Sequence, residues 1–82
     1  MNTKKDVLEA ALKGEGCLGK AKDDEPVFVL VGDDALAAGT IGFWLTRLQM
    51  IPGHNPTKAA QARHDIEQFQ LWATKHGTKT PD

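Results

Sequence analysis

One run of five residues, Val27-Phe28-Val29-Leu30-Val31, most constrains what this chain can fold into. It is β-branched, aromatic and uninterrupted. Pro26 opens it and Gly32-Asp33-Asp34 closes it, so it reads as a buried strand. No other segment reads as a good strand. A strand by itself leaves backbone N–H and C=O groups without partners, and burying them unpaired is costly. Three arrangements resolve this. The run pairs with the weaker stretch around Cys17–Ala21, it pairs with its own copy across a two-fold axis, or it stays irregular beneath helices. The first two are preferred.

The remainder reads as helix. Thr3 is the expected N-cap of a first helix over Lys4–Lys13, with Asp6 in the capping-box position and Val7, Leu8, Ala11 and Leu12 at helical spacing. Gly14 and Gly16 stop it, and a polar connector follows from Glu15 to Glu25. Asp33 and Asp34 cap a second helix over Ala35–Met50, closed by Pro52 and Gly53. Thr57 caps a third over Lys58–His76, ended by Gly77, and residues 78–82 form a flexible tail. The expected fold class is α+β: mostly helical, three helices with one short strand, in a small single domain spanning residues 1–82.

A chain of 82 residues buries roughly 60–65% of the surface that its unfolded form exposes, so it is marginal alone and gains from self-association. The helices point the same way. In the third, Ala59, Ala62, Ile66, Phe69 and Ala73 form one stripe with Trp72 at its edge, while Leu71 lies on the far side. In the second, Ile41, Trp44, Leu45 and Leu48 form one stripe, and Leu36, Phe43 and Met50 recur every seven residues on the opposite side. Ala35, Gly39, Gly42 and Thr46 make a line of small residues between them. A helix apolar on two faces is covered from two sides. The economical reading is a homo-oligomer, a dimer or higher, with Leu36, Gly39, Phe43, Met50 and Leu71 at its interfaces. In the plainer alternative, a monomer, the first helix and the strand cover the second face.

Acidic and basic residues are mixed along the chain, and the formal net charge is −1. No basic stripe for duplex nucleic acid appears. A single cysteine, Cys17, fits a reducing cytosol. The N-terminus lacks the apolar run of a signal peptide, and Val27–Val31 is far too short to span a membrane. A cytoplasmic protein is expected.

Catalytic patterns are not found. Gly14-Glu15-Gly16-Cys17-Leu18-Gly19 matches G-x-G-x-x-G, but it follows a helix rather than a strand, so it reads as a helix stop. Cys17 reads as a buried structural thiol. His54, His64 and His76 fit no metal spacing. Asp23-Asp24-Glu25 and Asp33-Asp34 read as turn and cap residues rather than cation ligands. No enzyme, metal or cofactor is expected. Binding is the better class. Phe43, Trp44 and Trp72 can stack on a planar ring, and Arg47, Arg63, Lys20 and Lys22 can meet phosphate. In the plainer reading the aromatic residues are core.

Two stretches, Cys17–Leu45 (C-L-G-K, then D-E-P-V-F-V-L, a polar turn and a helix with a late aromatic pair) and Phe69–Asp82, resemble short uncharacterised proteins encoded by tailed phages and prophages. In that pattern a basic residue follows V-F-V-L, where this chain has Val31, and an arginine falls near position 47, where it has Arg47. The resemblance implies a class: small accessory proteins of phages that act by binding in the host cytosol. The expectation is a counter-defence factor that sequesters a small nucleotide immune signal, with Arg47 and Arg63 on phosphate, Phe43 or Trp72 on a base, and Lys20 as a further cation. The alternatives are an inhibitor that blocks a host defence protein by direct contact, and a plain structural or assembly protein.

Overall fold

The computed structural model describes residues 3–80. Four helices follow one another: α1 (Lys4–Leu12), α2 (Gly16–Lys20), α3 (Ala37–Gln49) and α4 (Pro56–His76). The chain is mostly helical. Among the described residues β structure is confined to one isolated parallel bridge, between Asp34 and Lys79. The strand expected at Val27–Val31 is therefore not formed within the chain.

α1 starts on the expected capping box. The Thr3 hydroxyl oxygen accepts from the Asp6 N–H at 3.2 Å, and the Asp6 carboxylate accepts from the Thr3 N–H at 3.3 Å. The Thr3 backbone N–H, followed by its hydroxyl, holds the Asp6 carboxyl below the ordinary carboxylate range. Gly14 and Gly16, both at φ +72°, then turn the chain into α2. This short helix replaces the connector read from the sequence. Gly19 makes it possible: a Cβ there would stand 2.7 Å from the Gly14 carbonyl carbon and 3.2 Å from the Ala11 Cα. Thus the three glycines of G-x-G-x-x-G serve a helix stop and a tight helical hairpin.

α3 begins two residues later than expected, because the Asp34 carboxylate accepts the Leu36 N–H at 2.8 Å and holds a turn before the helix. α4 begins two residues earlier. Asn55, not Thr57, is the N-cap; its side-chain oxygen accepts the Thr57 N–H at 2.9 Å, and Pro56 takes the first helical position. Gly77, at φ +77°, ends α4 as expected. The tail is held at Lys79, whose N–H donates to the Asp33 carbonyl at 2.8 Å and whose carbonyl accepts the Ala35 N–H at 2.9 Å. These two bonds join the entrance of α3 to the exit of α4.

Packing is pairwise. α1 lies on α2 and α3 on α4, and no helix of one pair packs on the other. On α4 the expected stripe faces inward, with Ala59 and Ala62 buried and Ile66, Phe69 and Ala73 half-buried. On α3 Ala37 is buried, and Ile41, Leu45 and Leu48 are half-buried. The buried core among the described residues is thus three alanines, Ala37, Ala59 and Ala62. Not one large apolar side chain among them is buried. The chain exposes 6773 Å², against about 4,800 Å² for a compact chain of 8.9 kDa. Its radius of gyration is 13.7 Å, against about 12 Å for a compact chain of this length.

Gly19 gives the first test. Its neighbours are backbone atoms that cannot swing aside, so Gly19→Ala is expected to cost about 1–3 kcal/mol in urea unfolding. Stability unchanged from the parent would show that the α1–α2 hairpin is not closed at this point.

Candidate functional site

The outer face of α3 carries the residues that chemistry can use. Phe43 and Arg47 stand one helical turn apart, and the Arg47 guanidinium carbon lies 6.0 Å from the centre of the Phe43 ring. This pair is exposed, so both the ring and the cation remain available. Arg47 also borders an open groove of about 540 Å³, walled by Trp44, Arg47, Leu48, Met50 and Ile51.

The end of α3 builds that groove. The Met50 N–H donates to the Arg47 carbonyl at 3.2 Å and the Ile51 N–H to the Leu48 carbonyl at 3.0 Å, so the chain keeps turning after the helix. The His54 N–H and ring Nδ1 both meet the Ile51 carbonyl, at 3.2 and 3.1 Å, and Gly53 supplies a φ of +74°. Met50 and Ile51 are thereby held beside Trp44 and Arg47. From sequence, Trp44 is offered only as a residue able to stack on a planar ring, and Ile51 has no site role. The Pro52-Gly53 turn signal marks where the chain bends, and apolar residues beside such a bend were the available clue.

The sequence-derived ligand residues do not converge as a set. Phe43 and Arg47 are together. Arg63 and Trp72, nine residues apart on α4, lie half a turn out of phase and about 13 Å apart along the axis. Lys20 sits on α2, which packs on α1 alone. Trp72 has a local role. Its indole covers Gly32, where a Cβ would stand 3.0 Å from the ring, and it lies against the His76 ring, tilted by 34° with centroids 4.0 Å apart. Gly32 thus docks the run Val27–Val31 beside α4, a contact whose one sequence signal is the glycine itself.

The residues expected from sequence at an interface are all open to solvent in the chain: Leu36, Gly39, Phe43, Met50 and, on α4, Leu71. Met50 is 73% exposed and Phe43 68%. A Cβ on Gly39 or Gly42 would meet nothing within 4 Å. Thr46, on the small-residue line, and Thr40 beside it turn their hydroxyls back onto the Gly42 and Leu36 carbonyls, at 3.0 and 2.8 Å.

Elsewhere, Cys17 is exposed, not the buried thiol expected. Glu25 and Asp34 use carboxylate oxygens to accept backbone N–H groups, from Lys22 at 3.0 Å and Leu36 at 2.8 Å, which is the turn role; neither Asp33 nor Asp34 caps α3, whose N-cap is Leu36 with no side-chain cap bond. Among the described residues no group of three His, Cys, Asp or Glu side chains is placed to hold a metal ion. None of the described helices is long and apolar enough to cross a membrane. Compared with protein-family models, curated proteins and solved structures, the chain matches none.

Trp72 and Arg47 should separate cleanly by mutation. Trp72→Ala uncovers Gly32 and is expected to cost about 1–2 kcal/mol in thermal or urea unfolding, below the 3–5 kcal/mol of a fully buried tryptophan. Arg47→Ala should leave stability within about 0.5 kcal/mol of the parent, because its side chain is exposed. Equal losses at both positions would contradict this division of roles.

Proposed function

We propose that this chain is a non-catalytic, homo-oligomeric binding protein, a phage-type counter-defence factor that sequesters a small nucleotide at the outer face of α3. The observation that carries the reading is the exposed Phe43–Arg47 pair, whose Arg47 also borders the groove. An aromatic face suits a base, and a guanidinium suits phosphate. The groove is open, so a second copy is needed to enclose a ligand there. Arg47 is the one cation in that groove's wall, and a second copy of the chain is the natural source of another.

Self-association is supported by the surface itself. Excess exposure of about 2,000 Å² per protomer is ample for an obligate homodimer, whose two partners together bury upwards of 2,000 Å². The exposed residues, Phe43, Trp44, Met50 and Arg47 among them, are the types enriched at protein interfaces. The α+β class belongs to this reading as well, since Val27–Val31 becomes a strand only with a partner.

One observation favours a second reading. Leu71 is 63% exposed on the outer side of α4, amid polar neighbours, as an anchor for a host defence protein would be. In that reading the chain inhibits by contact. Leu71→Asp then removes inhibition without changing subunit number.

Native mass spectrometry of the protein purified from cells with an active defence system tests both. The sequestering reading expects an oligomer carrying a few hundred daltons of retained ligand per site, lost in Arg47→Ala with helix content unchanged. A bare monomer would overturn it and leave inhibition by contact.

A further inference from the structure

We infer that Val27–Val31 is an inter-subunit strand, pairing antiparallel with the same run of a second copy about a two-fold axis through Val29. This rests on the homo-oligomeric part of the reading above and not on its nucleotide.

The backbone comes first. Among the described residues, the N–H groups of Val27, Phe28, Val29, Leu30 and Val31 donate to no protein group, and the carbonyls of Val27 to Leu30 accept from none. The run has neither helix nor turn within it. Two turns bracket it. The Glu25 N–H donates to the Lys22 carbonyl at 3.0 Å, and the Asp34 N–H to the Val31 carbonyl at 3.1 Å. At one end Gly32 is docked under Trp72. The result is a short, anchored stretch whose backbone groups are open on both sides except at the Val31 carbonyl.

Its side chains are as apolar as any in the chain, yet Phe28 is 84% exposed and Val29 69%. Such a stretch is a template for strand addition. Its sequence selects its own copy. When V-F-V-L-V is laid antiparallel on itself about Val29, Val27 faces Val31, Val29 faces Val29, and Phe28 faces Leu30. Valines line one face of the pair and Phe–Leu contacts the other, both favourable cross-strand combinations. The next pairs outward are Pro26 with Gly32 and Glu25 with Asp33, where one partner lacks an N–H and then two carboxylates meet. Pairing therefore stops at five residues. A net charge of −1 gives two copies little mutual repulsion.

The hydrogen-bond phase follows from Val31. Its carbonyl is already taken by the Asp34 N–H, which favours Val27, Val29 and Val31 as the non-hydrogen-bonded positions. Phe28 and Leu30 then exchange both bonds with Leu30 and Phe28 of the other copy. The strand pair is too short to account for the whole excess surface. It leaves the open face of α3 to complete the contact.

The phase makes the test specific. At a non-hydrogen-bonded central pair the two Val29 Cα atoms stand about 4.5 Å apart, within disulfide reach. In a Cys17→Ser background, which removes the native exposed thiol, Val29→Cys should link most chains into covalent dimers on mild oxidation. Phe28→Cys, whose copies sit on opposite sides of the axis, should link several-fold more slowly. Hydrogen exchange of the unsubstituted protein gives a second measure: the Phe28 and Leu30 amides protected, the Val29 amide fast. Equal linking rates, or no protection anywhere in Val27–Val31, would overturn the inference. Dimers linked at position 29 that retain no nucleotide would support the strand and defeat the sequestering reading alone.

Discussion

The contact on which the rest depends is the packing of α3 against α4, the pair that holds the three buried residues Ala37, Ala59 and Ala62. Small side chains let two helices come together, and the Asp34–Lys79 bridge ties the entrance of one to the exit of the other. Alanines contribute little buried area, however. At about 25 cal/mol per Å² of apolar surface, hydrophobic stabilisation follows the large residues, and here none of those described is buried. The helical pair is well defined in geometry and poor in core.

That imbalance links the fold to the function proposed. The faces left uncovered are the outer side of α3, with Leu36, Phe43 and Met50, and the run Val27–Val31. A binding protein of this size has little room for a dedicated pocket. In the function proposed, assembly makes one surface serve both stability and recognition, because the groove walled by Arg47 and Met50 borders the open face of α3. Burying Phe43 between copies and using it on a ligand are compatible only if the ligand sits where copies meet.

Much of the helical framework was legible in the sequence, for local reasons. The Thr3–Asp6 capping box, the glycine stop at Gly77 and the inward stripe of α4 rest on contacts within a few residues. α2 was not legible, because Gly16 and Gly19 oppose helix in a five-residue segment and only the contact with Gly14 and Ala11 supports it. The strand reading of Val27–Val31 followed β propensity, which expresses packing against a neighbour that the single chain does not supply. Of the candidate site, Phe43 and Arg47 were readable from spacing on one helix. The scatter of Arg63, Trp72 and Lys20 was not, since convergence across elements depends on tertiary geometry. The role of Trp72 over Gly32 depends on a contact between residues forty positions apart.

The central claim is that a second copy completes the core, and thermal unfolding across a range of protein concentration tests it most directly. If folding is coupled to association, mass action raises the melting temperature by several degrees over about a hundredfold increase in concentration. A melting temperature independent of concentration, with a monomer in sedimentation over the same range, would contradict the account.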